Sequence, residues 1–136
     1  MTYLATTTGV SVRADEIAAA EEIPLPILSK VLQDLARKGL LDSRRGPGGG
    51  FRLSRRPELI TLRDIVASVD SLDEFLRCVT GLPNCSDETP CPLHETWKQT
   101  RTSLMKSFET TTLLDMVHAT ARKRKTAAYA KRRARS

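Results

Sequence analysis

Cys78, Cys85, Cys91 and His94 are the residues of this chain whose types and spacing could do chemistry. All three cysteines fall within 14 residues, with six residues between the first two, five between the second and third, and two more before the histidine. Thiolate and imidazole are soft or borderline donors, so such a segment can ligate iron or zinc, or its thiols can act as a redox switch. The residues between them include Gly, Pro, Asn, Ser and Asp, which make turns, and not the periodic apolar frame in which cysteines serve as small core residues. Three cysteines plus His94 make up the four donors of a [2Fe–2S] cluster, although the spacing matches no ferredoxin run and the two CxxC knuckles of structural zinc are absent. By its residues alone this is a metal-or-redox loop. His94 has an alternative role as a polar residue at a helix N-terminus, with Asp87, Glu88 or Glu95 supplying an oxygen ligand in its place.

The elements that must position this loop are built from few aromatics: Phe51, Phe75, Phe108, Trp97, Tyr3 and Tyr129. The core of this 136-residue chain is therefore expected to be aliphatic and modest, one compact domain with a helical appendage, and a core of that kind gains stability by dimerising. No apolar run is long enough to span a membrane, and the first residues lack a basic stretch ahead of an apolar one, so a soluble, cytoplasmic protein is expected. An odd cysteine count without a secretion signal argues against a disulfide framework. The net charge of +6 is unevenly spread: residues 1–57 carry 9 Lys/Arg against 6 Asp/Glu, residues 58–118 carry 5 against 10, and residues 119–136 carry 8 against none. Two basic blocks around an acidic middle suit a polyanionic partner, and on charge alone a solvated surface is an equal alternative.

Upstream of the cysteines, Ser11 with Asp15 and Glu16 marks the start of a helix running to about Glu22. Pro24 and Pro26 mark a turn and a second helix, whose apolar positions Leu28, Val31, Leu32 and Leu35 recur at i, i+3, i+4 and i+7 and are expected to face Ile17 and Ile23. The opposite face presents Ser29, Lys30, Gln33 and Arg37, short polar or cationic groups able to reach base edges and phosphates. Gly39 ends the helix. From Leu40 to Arg44 and from Phe51 to Ser54 the chain reads as a hairpin with Gly46 to Gly50 as its turn. Its glycines permit positive φ and close approach to another backbone, and Arg44, Arg45, Arg52, Arg55 and Arg56 place charge at tip and base. Gly48 and Gly49 would let the tip approach a phosphate backbone. A nucleotide phosphate loop is excluded, because no GK[ST] follows the glycines and no helix opens after them. Helix, turn, helix and basic hairpin is the winged helix-turn-helix order.

Downstream, Thr61 with Asp64 predicts a capped helix to about Val69 that buries Leu62, Ile65, Val66 and Val69 and seats the wing. Phe75 and Leu76 carry the apolar surface up to Cys78. Pro92 is expected to open a long helix ending near Thr110, with Leu93, Trp97, Leu104 and Phe108 as an apolar seam for a symmetric partner helix and Lys98, Arg101 and Lys106 elsewhere on its surface. Thr112 with Asp115 recaps a short final helix.

Ile17-Ala18, Ile23-Pro24, Leu28, Leu32 to Leu35, Lys38-Gly39-Leu40, Ser43, Arg45-Gly46-Pro47-Gly48-Gly49-Gly50-Phe51 and Leu53 resemble the frame of the IscR/NsrR (Rrf) family of winged-helix regulators. The likeness continues through Thr61-Leu62-Arg63-Asp64-Ile65-Val66, the three cysteines, Cys91-Pro92-Leu93-His94 and Thr112-Leu113-Leu114, and so covers residues 3 to 118. The resemblance implies a homodimer on a partly palindromic double-stranded DNA operator, with a [2Fe–2S] or related cluster controlling affinity in many members. It places Ser29, Lys30 and Arg45 where such regulators contact DNA. Relatives begin with a further helix ahead of the position of Met1, of which Tyr3-Leu4-Ala5 looks like the last turn.

The expected architecture is thus mainly α with a small β-hairpin wing. A winged helix-turn-helix domain over 1–70 is followed by a cysteine-rich sensor loop over 71–94, a long dimerisation helix with a short final helix over 92–118, and a basic, disordered tail over 119–136. The expected activity is transcription regulation, a repressor being one form, and not catalysis: no convergent base, nucleophile pair, cofactor fingerprint or small-molecule substrate site is visible. The alternatives are a winged-helix regulator with structural zinc or no cofactor, and an iron–sulfur electron carrier, which would gain nothing from a recognition helix and arginine wing.

Overall fold

In the computed structural model of the chain, residues 1–7, 9–72, 77–82 and 86–133 are described, with side chains as far as Lys123. Helix α1 (Thr2–Thr6) is a single turn. Helix α2 (Ala14–Glu21) starts at Arg13 without a side-chain cap, so Ser11 is not the helix cap expected of it; Asp15 and Glu16 do occupy the first turn, where the helix dipole favours negative charge. The chain then turns through Glu22, a non-glycine residue at φ 54°, into α3 (Leu25–Arg37), with Pro26 in its first turn. Leu28, Leu32 and Leu35 of α3 are buried with Ile17 and Ala18 of α2. Ile23, expected in that core, is 39% exposed, because it lies in the turn and not on either helix face.

Helix α3 closes with the backbone of Gly39 at φ 76°. Leu40 N–H donates to the Leu35 carbonyl at 2.9 Å and Gly39 N–H to that of Ala36 at 3.0 Å, the paired bonds of a Schellman end. That turn delivers Leu40 and Leu41 into the core and launches β1 (Leu41–Arg44), which pairs antiparallel with β2 (Gly50–Leu53) in the register Leu41 to Leu53 through Arg44 to Gly50. A third segment completes the wing: Val12 N–H donates to the Phe51 carbonyl at 2.9 Å and Phe51 N–H to that of Val12 at 2.8 Å.

Helix α4 (Leu62–Val69) has the capping box read from Thr61 and Asp64. Its packing is chiefly against α3 and the long helix, not under the wing, and its inward residue is Ser68, 7% exposed, whereas Val69 is 48% exposed. The long helix α5 spans His94–Thr110. It begins two residues later than Pro92: the segment Cys91 to His94 forms a turn in which His94 N–H donates to the Cys91 carbonyl. Helix α6 (Leu113–Arg133) is capped by Thr112 and Asp115 as expected, but it is 21 residues long, so the short final helix continues through Arg133 into the segment expected as a disordered tail, of which residues 134–136 lie outside the described residues. Leu113, 1% exposed, belongs to the same core as Leu4, Ile60 and Leu32, and α6 packs along α1. The corner between α5 and α6 is tied to the α4 entry by Leu62 N–H to the Thr111 carbonyl and Leu113 N–H to the Ile60 carbonyl, at 2.9 and 2.8 Å. Among the described residues no helix is long and apolar enough to cross a membrane.

Candidate nucleic-acid interface and thiol cavity

The first candidate surface is an open concavity between the start of α3 and the hairpin tip, lined by Leu25, Ser29, Gly46, Gly48, Gly49 and Gly50 with Arg13, Ala14 and Asp15 from α2. The glycines are there for steric reasons. A Cβ at Gly49 would lie 2.4 Å from the Arg44 carbonyl oxygen, and one at Gly50, which sits at φ 146°, would lie 2.4 Å from that of Val12. The turn therefore folds tightly on β1 while β2 approaches Val12 closely, and the tip is left without side chains beside the cleft.

Around this cleft the cations divide into two groups. Lys30, Arg44 and Arg45 are exposed and carry no ion pair among the described residues. Arg52 is paired instead: both its Nε and its guanidinium tip reach Asp42 at 3.1 Å across the two strands. Arg37 is paired with Asp34 one turn earlier on α3. Asp34 and Asp42 thus neutralise two of the cations expected to face DNA, a division that needed the helix and strand registers. Gln33 is exposed and Ser29 half-buried against the cleft.

The second site is a small cavity of about 70 Å³ lined by Cys78, Val79, Cys91, Leu93, His94, Trp97, Lys98 and Arg101. Cys78 and Cys91 are both half-buried, and the Cys78 sulfur lies 3.0 Å from the Thr80 hydroxyl. The structure therefore places Cys78, Cys91 and His94 around one cavity. Cys85, with Phe75 and Leu76, lies outside the described residues. His94 Nε2 is 2.9 Å from Asp87, and the same carboxylate oxygen accepts from Lys98 Nζ at 2.7 Å. Those two partners, Lys98 first, hold the Asp87 carboxyl below its ordinary range, and Asp87 in turn holds the Lys98 ammonium above its own. The Trp97 indole N–H donates to the Arg77 carbonyl at 2.7 Å, tying the cysteine loop to the first turn of α5.

Lys98 and Arg101 were not expected here. His94, Trp97, Lys98 and Arg101 recur at i, i+3, i+4 and i+7, so one face of α5 meets the thiols with an imidazole, an indole and two cations together. That spacing was legible, but reading only the apolar seam separates these residues. Of the seam, Trp97, Leu104 and Phe108 are half-buried and Leu93 is 51% exposed; no residue of α5 is fully buried within the chain.

The donor types fit an iron–sulfur or zinc centre: two thiols and an imidazole line the same cavity, and in the sequence a third thiol lies between them. Among the described residues no three metal-binding groups already converge, and His94 Nε2 is engaged by Asp87, so ligation through that nitrogen competes with the Asp87 contact.

Comparison with known proteins bears on both sites. The family model described as Rrf2, iron-dependent transcriptional regulator, matches residues 1–119. A chain of Aquifex aeolicus assigned as an HTH-type transcriptional regulator is 32% identical over 120 residues, 87% of this chain and 83% of the relative. The transcriptional regulator IscR of Vibrio cholerae is 28% identical over 102 residues, 75% of this chain and 58% of IscR. Among solved structures, CymR, the global cysteine regulator of B. subtilis, superposes with a TM-score of 0.71 at 25% identity, covering 87% of each chain. IscR of T. potens superposes with a TM-score of 0.68 at 25% identity, covering 88% of this chain and 78% of that one.

Proposed function

Since the chain belongs to the Rrf2 family of transcriptional regulators, winged-helix proteins and not enzymes, we propose that it binds operator DNA as a homodimer with an affinity set by chemistry at Cys78, Cys85 and Cys91. A [2Fe–2S] cluster held by these three residues, with His94 as fourth ligand, is the form of that chemistry the donor set favours. Such a group, when bound, supplies a redox-sensitive link between the loop and the first residue of α5.

The observation that carries the reading is the shared cavity of Cys78, Cys91 and His94 at the start of α5. Helix α5 packs on α4, and α4 packs on α3; Arg63 of α4 also pairs with Glu109 of α5 at 2.7 Å. A change in how the loop is held, through Trp97 and the Arg77 carbonyl or through Asp87, is thereby passed to the helix that presents Ser29, Lys30 and Gln33. Two half-sites must be met together, so a change in the angle between two subunits along α5 alters affinity. Couplings of about 1–3 kcal/mol are ordinary for such linkage.

At the DNA face, Lys30, Arg44 and Arg45 supply positive charge that no described carboxylate pairs, and the glycine-rich tip admits a phosphate backbone. A cofactor-free thiol switch is the second reading, favoured by Lys98 and Arg101 lining the same cavity as the two thiols, since nearby cations stabilise thiolate. Anaerobic purification followed by visible absorption, iron and sulfide analysis, and operator binding before and after oxidation separates the two. A coloured protein that loses colour and changes affinity together supports the cluster. A colourless protein whose affinity still follows thiol oxidation supports the switch, and zinc, or Cys78, Cys85 and Cys91→Ser variants that still respond as the wild type does, refute sensing by either route.

A further inference from the structure

The first turn of α3 carries an apolar side chain, Ile27, that is open to solvent. Ile27 is 60% exposed, among the more open of the large apolar residues described. It sits one residue before the buried Leu28, on the flank that bears the exposed Lys30 one turn later, and away from the line of Leu28, Leu32 and Leu35 that faces the core. Burying this side chain against a partner would remove apolar area from water, which is favourable.

The first residues of a recognition helix are those that reach base edges in the major groove. An isoleucine side chain can neither donate nor accept a hydrogen bond. The one apolar feature that the major groove offers is the C5-methyl group of thymine. Resting on the DNA-binding reading above, we propose that Ile27 is a specificity-determining residue that packs on a thymine methyl in each operator half-site, so that the chain selects thymine there over cytosine by apolar contact. The charged neighbours are complementary to the same partner: Lys30 on the same flank, and Arg44 and Arg45 across the cleft, address phosphates and hydrogen-bonding edges, leaving the methyl to Ile27.

The test uses the full chain and a duplex selected with it from a randomised pool, followed by replacement of each thymine by deoxyuridine, which deletes a methyl and nothing else. Removing an apolar contact worth about one buried methylene corresponds to about a fourfold weaker Kd. The wild-type protein is expected to show that loss at one position in each half-site. Ile27→Ala should bind the thymine duplex correspondingly less well and become indifferent to deoxyuridine at that position alone, while keeping its response elsewhere. Equal thymine-to-uracil responses in wild type and variant overturn the proposal, as does a variant whose oligomeric state changes while its DNA affinity does not, since Ile27 would then be a protein contact. Failure to select any duplex would instead overturn the DNA-binding reading, and this inference with it.

Discussion

Gly50 lies against Val12 so closely that a Cβ on the glycine would sit 2.4 Å from the Val12 carbonyl oxygen. The neighbouring Phe51 exchanges two backbone hydrogen bonds with the same Val12, so the wing is a three-segment structure anchored ahead of α2. With Gly50 at φ 146°, Gly50→Ala combines backbone strain of about 1–3 kcal/mol with a backbone clash. Chemical denaturation should show a loss of at least that size, while Gly46→Ala, where the Cβ meets nothing within 4 Å, should lose less. Equal stabilities for the two variants would mean that the Val12 pairing does not hold the wing.

Arg45 and Arg52 should behave differently although both are wing arginines. Arg45→Ala is expected to weaken operator binding by about 1–3 kcal/mol if it reads a base, and by less if it meets only phosphate. Arg52→Ala should change binding less, because Asp42 already takes both ends of its guanidinium. Fluorescence titrations of the two variants at one salt concentration decide the order.

Acid should loosen the α5–α6 corner. The Thr112 N–H, and then its hydroxyl, hold the Asp115 carboxyl below its ordinary range. A carboxyl depressed in the folded state contributes stability above its unfolded value and loses it as pH falls through the folded one. Thermal melts from pH 6 downward should therefore show wild type losing stability toward Asp115→Asn in the acid range. At neutral pH Thr112→Ala should cost about 0.5–2 kcal/mol, as loss of a helix cap does.

Helix α5 keeps Leu104 and Phe108 half-buried in a single chain. If a partner's helix completes their burial, Leu104→Asp with Phe108→Asp should weaken the dimer by at least about 2 kcal/mol, the scale of an interface hot spot. Sedimentation equilibrium would show monomer in the variant at concentrations where wild type is dimeric.

Helix α6 continues through Arg122, Lys123, Arg124 and Lys125 with no acidic residue beyond Asp115. Replacing these four by Gln should lower the slope of log affinity against log salt by up to about 0.9 for each phosphate that is no longer neutralised. Specific and non-specific DNA should be affected alike. An unchanged slope would show a solvated helix end.

Much of this molecule is local in origin and could be read along the chain. The α3 stripe of Leu28, Leu32 and Leu35, the Gly39 helix end, the capping boxes at Thr61 and Thr112 and the hairpin around Gly46 to Gly50 depend on neighbours within a few residues. For the same reason the winged-helix order and the family frame were legible in the residues themselves. What the tertiary structure alone decided depends on groups distant in sequence: Val12 completing the wing beside Phe51, Leu113 entering the core with Leu4 and Ile60, and Trp97 finding the Arg77 carbonyl. Ser68 displaced Val69 from the interior because the faces of α4 are set by α3 and α5, and Asp42 claimed Arg52 because strand register put them opposite one another. Spacing along a chain fixes which side chains share a face, whereas which face meets which, and hence which charges and thiols remain available, is settled only when separate elements compete for the same small core.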